Sequence, residues 1–475
     1  MGAWPRHGVS RDADEQGENP QMTEGVRRGG GLSLGFARRG VSRRDFLKLG
    51  GAGLVGVALP GLVGCGGGGG QGGGGPVELT FSFFPDRTGS VQALIDEFNG
   101  QNEGQIRVTY REMPADSGQH FDQLRTEFQA GSGDIDVVGG DVIWPAQFAS
   151  NGWILDLSDR FPESERTQFL PAPIEANTYQ GRIYGVPWYT DAGMLYYRSD
   201  LLEESGFSEP PGTYDELKDA ARRVQQNSGA ENGFVFQGAN YEGGVVNALE
   251  YVWNSGGEVL DPSDPTRVTI DSPEAIRGLQ IERSMIEDGI APQSVTQYKE
   301  QESATTFLNG GAVFMRNVPR MYALASDPNE SRIDPDQIGV SALPVAEAGN
   351  RSYSSLGGWN LFINAASENQ DTAWEFIRFM SASEQQKYRA INGSVIPTRQ
   401  ELLDDSEILE TVPVIALGRD AIRNTRPRPV SPYYSDISLR MAAQFNSSLQ
   451  GNVSPEEAVR TLQEELTTIV EQGRT

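Results

Sequence analysis

The chain has 475 residues, 39 basic against 65 acidic side chains, a formal net charge of −26, one cysteine and two histidines. That balance argues against nucleic acid or an anionic lipid surface as the main partner. One cysteine leaves no disulfide, the histidines are too few for a multi-histidine zinc site, and neither G-x-S-x-G nor G-x-x-x-x-G-K-[ST] occurs. Asp134, Asp136 and Asp141 lie close together without the spacing of an EF-hand loop, so no metal and no cofactor is expected.

Residues 1–41 carry no apolar period and read as a disordered extension. Ser42-Arg43-Arg44-Asp45-Phe46-Leu47-Lys48 precedes the apolar run Leu49 to Gly64. The run is shorter than the roughly 20 residues a membrane span needs, and glycines and Pro60 break it. A basic region, a short apolar region and small residues at the far end make an export signal. The layout resembles the twin-arginine signal, which sends folded proteins across the membrane. Leu62-Val63-Gly64-Cys65 resembles a lipobox, which implies cleavage before Cys65 and a diacyl lipid on its thiol. Residues 42–65 are thus expected to be the signal, and 66–75, nearly all glycine, a flexible tether. Gly51-Ala52-Gly53-Leu54-Val55-Gly56 spells G-x-G-x-x-G but lies inside the signal, so it is not read as a dinucleotide site.

Beyond the tether, Val77, Leu79, Phe81 and Phe83 alternate as in a strand. Ser90 is placed to cap a helix that carries Val91, Leu94, Ile95 and Phe98 on one face. Ile106, Val108 and Tyr110 alternate again. Phe121, Leu124 and Phe128 mark a second helix, and Ile135 to Val138 a short apolar strand. This β-α-β-α-β order predicts a parallel sheet covered by helices. Thr213 and Glu216 form a capping box, and Ser272-Pro273 and Ser454-Pro455 open two further helices. Val459, Leu462, Leu466 and Ile469 form the apolar face of the last one. The chain is long enough for two α/β lobes.

Four loop-like stretches combine aromatics, acids, arginine and glycines. They are Gly140 to Trp144, Pro187 to Gly193, Leu356 to Asn360, and Pro427-Arg428-Pro429 running into Pro432-Tyr433-Tyr434. Sugars present an apolar ring face and a belt of hydroxyls. Aromatic faces cover the first, while carboxylates and arginine hydrogen-bond the second. Each stretch also has a structural reading: Trp144 and Trp188 as core, Asp141 as a helix cap, Tyr196 and Tyr197 as core or hinge packing.

The runs Asp191-Ala192-Gly193-Met194-Leu195-Tyr196-Tyr197-Arg198-Ser199-Asp200-Leu201-Leu202, Phe236-Gln237-Gly238 with Tyr241-Glu242-Gly243, Leu356-Gly357-Gly358-Trp359, and Pro427 to Tyr434 resemble the trehalose/maltose-binding proteins, in the same order over about residues 76–470. These belong to the family 1 extracellular solute-binding proteins of ABC importers. The resemblance implies an α/β fold of two lobes, the type II periplasmic-binding-protein-like arrangement, joined by crossing hinge strands. The expected lobes are 76–192 with 357–400, and 193–356 with 401–475. It implies disaccharide contacts at Asp141, Tyr189, Asp191, Gly357, Gly358, Trp359 and Arg428, with Tyr241 and Arg320 at further contact positions. Asp141 and Asp191 would accept from hydroxyls, Arg428 would donate, and Trp359 would stack on a ring. The sequence departs from the pattern at Arg87 to Gly89, at His120 or Phe121 where the family has a basic residue, and at Val318-Pro319-Arg320 where it has Trp-Pro-Tyr.

The resemblance implies a monomeric binding protein, not an enzyme. It would be exported by the twin-arginine route, lipid-anchored on the outer face of the cytoplasmic membrane, and would deliver its disaccharide to membrane permease subunits. Two alternatives share the composition. A secreted glycosidase would need two carboxylates about 5 to 10 Å apart. A ligand-sensing lipoprotein would share the fold and the site.

Overall fold

A computed structural model describes residues 75–472. The extension, signal, Cys65 and all but the last residue of the tether lie outside the described residues.

Strand β1 (Val77–Phe83), helix α1 (Ser90–Gln101), β2 (Ile106–Glu112), α2 (Ser117–Gln129) and β3 (Val137–Asp141) follow the expected order. Two details differ. The residue before α1 is Gly89, at φ 72°, and the cap is supplied by Asp86, whose carboxylate accepts from Val91 N–H at 2.8 Å. The Ser90 hydroxyl is instead used up on that same carboxylate, at 3.1 Å. The third strand begins two residues later than the apolar run and extends to Asp141.

Strands β4 (Val186–Ala192) and β5 (Met194–Arg198) are separated only by Gly193. Next come α3 (Tyr214–Ser228), β6 (Asn232–Val235), α4 (Glu242–Trp253), α5 (Pro273–Glu287), α6 (Glu300–Leu308), β7 (Ala312–Asn317), β8 (Ile338–Ser341) and β9 (Ser354–Ile363). The chain ends with α7 (Gln370–Met380), α8 (Ser383–Gly393), β10 (Ile396–Pro397), β11 (Thr425–Arg426), α9 (Tyr434–Leu449) and α10 (Pro455–Gln472). The capping box of Thr213 and Glu216 is present, and Ser272 and Ser454 accept from Ala275 and Glu457 N–H. The expected face of α10 is buried at Val459, Leu462 and Leu466, with Ile469 packed against the same cluster.

One sheet runs β10-β4-β9-β3-β1-β2, with β11 paired to β9. β1 is parallel to β2 and β3, and β9 runs antiparallel to β3 and β4. A second sheet runs β8-β5-β7-β6. Around the first sheet packs a core rich in aromatics, with Phe81, Phe83 and Trp188 fully enclosed. Around the second packs a mixed aliphatic and aromatic core including Leu217, Val235, Phe314 and Ile415. The fold is therefore mixed α/β with two sheets, and the chain crosses between them at β4–β5 and again between β8 and β9. Pro187 to Ala192 and Leu356 to Asn360, read from sequence as loop-like, are strand. Their aromatics, with Pro187 in the first and Gly357-Gly358 in the second, mimic loop composition, but here they serve close strand pairing.

Candidate functional site

Strand register assembles the first half of the site. Trp359 on β9 lies opposite Asp141 on β3 and Tyr189 on β4, while Gly357 lies opposite Asp191. Three neighbouring strands thus place an acid, an indole and a phenol in one row. Gly358 makes the register possible. Its φ is 112°, and a Cβ there would meet the Tyr189 carbonyl oxygen at 2.3 Å, so an L side chain would be excluded on both counts.

Trp359 is partly exposed, and its edge contacts fix it: Phe83 at 5.3 Å, Phe84 at 4.9 Å and Trp144 at 5.3 Å between centroids. His120 lies near-parallel to it at 5.5 Å and 25°. His120 is fully buried, and neither ring nitrogen has a hydrogen-bond partner. Burial pulls its pKa down to about 4, so at neutral pH it backs the indole as an uncharged ring. Trp144 and Trp188 are core residues, at 3% and 1% exposure. Tyr189 is buried, and the Arg389 guanidinium sits 4.9 Å from its ring centre.

The second half is built around Arg428, which follows β11. Its guanidinium is buried, bonds Glu242 at 2.5 Å, reaches the Leu356 carbonyl at 3.3 Å and lies 3.6 Å from Asp141. Its Nε has no partner. Glu242 opens α4 and also accepts from Tyr434 at 2.6 Å and from Ser438. Asp141 accepts from Ser117 at 3.1 Å and from Ile143 N–H at 3.3 Å. That backbone bond steadies the turn before the short helix Pro145–Ser150, so the carboxylate serves locally as well as facing Arg428.

Burial pushes the Asp141 carboxyl up; Arg428 opposes this and Glu242 adds to it. Asp191 is pushed up to about 7, chiefly by burial and further by Asp141, while Arg320 holds it down. Arg320 is exposed and forms no ion pair with Asp327 or Glu330; the charge it acts on is Asp191. Val318 packs on the second core, and its carbonyl accepts from Tyr196 at 2.9 Å.

The structure thus brings together Asp141, Tyr189, Asp191, Gly357, Gly358, Trp359 and Arg428, with Arg320 beside Asp191. It does not bring Tyr241 into that group. The Tyr241 hydroxyl is buried, the Lys299 ammonium lies 5.0 Å from its ring centre, and burial, with Glu300 beside it, raises its pKa. The neighbouring Glu242 reaches Arg428 instead. Sequence reasoning missed Glu242, Tyr434 and Ser117. The available signal was an acid immediately before Gly243-Gly244 at a helix start. A cavity of about 550 Å³ is lined by the segment 426–433; it shares Arg428 but not Asp141, Asp191 or Trp359. Among the described residues, no group of three or more His, Cys, Asp or Glu is placed to hold a metal ion.

Chemically, the group offers acceptors at Asp141 and Asp191, a donor with spare capacity at Arg428, and an aromatic face at Trp359. This arrangement fits recognition of a hydroxyl-rich ring.

The chain is similar to MalE3 of T. maritima, solved with maltose bound: 37% identity, TM-score 0.72, over 82% of this chain and 99% of that one. It is 35% identical to a probable ABC transporter-binding protein of Deinococcus radiodurans, over 76% of this chain and 86% of the relative. It is 26% identical to the maltotriose-binding protein of Pyrococcus abyssi, over 75% and 74%. These relatives are binding proteins, not enzymes. The family model for bacterial extracellular solute-binding proteins matches residues 84–387, and the chain belongs to that family.

Proposed function

We propose that the chain is a lipid-anchored extracytoplasmic binding protein that delivers a disaccharide of the trehalose/maltose type to an ABC importer. The observation that carries this is the row Asp141–Trp359–Tyr189 facing Arg428, with Asp191 two pairs further along the strands. The maltose-bound relative at 37% identity and the maltotriose-binding relative support the saccharide class. In this reading Asp141 and Asp191 accept from sugar hydroxyls, Arg428 donates, Trp359 stacks on a ring, and Arg320 lies at the edge. The lobes are residues 76–192 with 357–400, and 193–356 with 401–475. They close on the ligand, and the twin-arginine signal and Cys65 place the protein on the outer face of the membrane.

The test is a thermal-shift and calorimetric panel of trehalose, maltose, maltotriose and glucose, since a ligand that binds only the folded chain raises its midpoint. A saccharide recovered intact after binding supports the proposal. Its steady hydrolysis, or no binding across the panel, overturns it. Mass spectrometry of membrane fractions tests the anchor: lipid should be found on Cys65, and Cys65→Ala should release the protein.

A further inference from the structure

The two places where the chain crosses between the sheets meet at one buried oxygen. Glu250 on α4 and Arg316 on β7 are 2% and 3% exposed and form a two-pronged pair: Arg316 Nε to Oε2 at 2.7 Å and Nη2 to Oε1 at 2.6 Å. The same Oε1 accepts from the Ser355 backbone N–H at 2.9 Å, at the start of β9. On the other crossing strand, Gly193 lies between β4 and β5. A Cβ there would meet Glu250 Oε1 at 2.1 Å and Arg316 Nη2 at 2.5 Å. The pairing of Leu356 with Ala192 ties the two strands together beside this point.

The pair is also wired toward the rim of the site. Arg316 Nη1 donates to Gln237 at 3.0 Å, and Gln237 donates to Ser303 at 2.6 Å. Asn317 donates to Ser303 at 3.2 Å and accepts from Val318 N–H at 2.9 Å, which leads into the segment that carries Arg320. A fully buried ion pair gives little net stability relative to apolar side chains of similar size. Its effect here is geometric: it fixes the start of β9 and the point where β4 gives way to β5.

We propose that Glu250 and Arg316 are positioning residues for ligand capture, a fixed seat on which the two crossing strands turn. They would hold Asp191 and Trp359 in place relative to Arg320 and Arg428. This rests on the reading of the chain as a saccharide-binding protein. Gly193 is required because any side chain there would push β4–β5 off the pair.

The experiment uses the full chain with Gly193→Ala, Glu250→Gln and, as a control, Leu217→Ala, a core truncation in α3 away from both strands. Maltose affinity is measured by calorimetry, the change in radius of gyration on adding maltose by small-angle scattering, and the melting midpoint in parallel. The expected result is at least a tenfold loss of affinity and a reduced change in radius for Gly193→Ala. A smaller loss is expected for Glu250→Gln, which keeps an oxygen for Ser355. Leu217→Ala should lower the midpoint but bind as wild type. Should Gly193→Ala fail to fold, Glu250→Gln decides alone. Wild-type affinity and an unchanged radius response in the folded variants, with only a lower midpoint, would overturn the proposal. If the wild type binds no saccharide of the panel, the saccharide reading fails separately. The seat is then judged on the ligand-free radius of gyration: a shift in Gly193→Ala but not in Leu217→Ala supports it, and no shift overturns it.

Discussion

Arg316 and Arg428 are both buried arginines facing glutamates of the same helix, α4, yet their surroundings differ. All three nitrogens of Arg316 have partners within 3.0 Å, two on Glu250 and one on Gln237. Arg428 has one short bond to Glu242, a long one to a carbonyl, a looser approach to Asp141 and an orphaned Nε. A saturated guanidinium is committed to the fold. One with spare donors has capacity left for a ligand. Buried groups without partners are costly, so the contrast separates the residues that build the chain from those that wait for something to arrive.

The comparison breaks if both arginines respond alike to removal. Arg316→Met leaves Glu250 buried with only the Ser355 N–H, and should cost about 3–5 kcal/mol of stability by denaturant unfolding. Arg428→Met should cost less, about 1–3 kcal/mol. Glu242 keeps Tyr434 and Ser438, and Asp141 keeps Ser117 and the Ile143 N–H. Its larger effect should fall on saccharide affinity. Equal stability losses with no loss of binding in Arg428→Met would dissolve the distinction. Trp359→Ala tests the other wall of the site. Losing the indole should weaken binding by about 1–3 kcal/mol in calorimetry, by analogy with base stacking on aromatic platforms.

The regular elements were more legible in the sequence than the site. Alternation gave away β1 and β2, helical spacing gave α1, α2 and α10, and cap residues marked three helix starts. Ser90 misled because a hydroxyl at a helix start has a rival in Asp86, four residues back and better placed. Pro187 to Ala192 and Leu356 to Asn360 read as loops because proline or glycine in series with aromatics looks like loop composition. Only the pairing of two strands far apart in the chain shows why Gly358 must lie inside a strand. Glu242 escaped for a similar reason: its partner Arg428 is 186 residues away, and no local pattern announces such a bond.

Protonation sharpens the contrast further. Asp191 is pushed up to about 7, chiefly by burial. Its carboxyl carries a proton below that pH, and sugar hydroxyls donate best to the ionised form. Affinity for maltose should therefore rise with pH between 6 and 8, by up to about tenfold per unit below the midpoint, and level off above it. His120 titrates far below this window. A pH-independent affinity, or a slope that survives Asp191→Asn, would remove Asp191 from the contact set. Glu282 supplies the structural counterpart. It is 3% exposed, bonds Asn247 at 2.8 Å and is pushed up by burial to about 8. Its raised pKa means the folded chain holds a proton that the unfolded chain has released. Stability should fall as pH rises from about 4.5 to 8 and then flatten. Glu282→Gln should reduce that slope in a melting series, leaving the part due to Asp191, without moving saccharide affinity.

The smallest effect is expected at Arg320, where exposure weakens any charge. Arg320 is the cation that holds Asp191 down. Its planar fork of five donors can serve neighbouring hydroxyls, and serves a carboxylate or phosphate better because both partners are then charged. Val318 offers no stacking surface to compensate, since its side chain packs on the second core. Arg320→Tyr should change affinity for trehalose and maltose by no more than about threefold, which is under 1 kcal/mol. For a disaccharide bearing a carboxylate the loss should be about tenfold. The same substitution should move the pH step in maltose affinity upward, because Asp191 loses the charge that favours its ionised form. The two readouts are independent. A shifted pH step with unchanged ligand preference would place Arg320 beside Asp191 but outside the contact set. No change in either would show that Arg320 acts only on solvent, leaving the saturated and open halves of the site to be told apart by Arg316 and Arg428 alone.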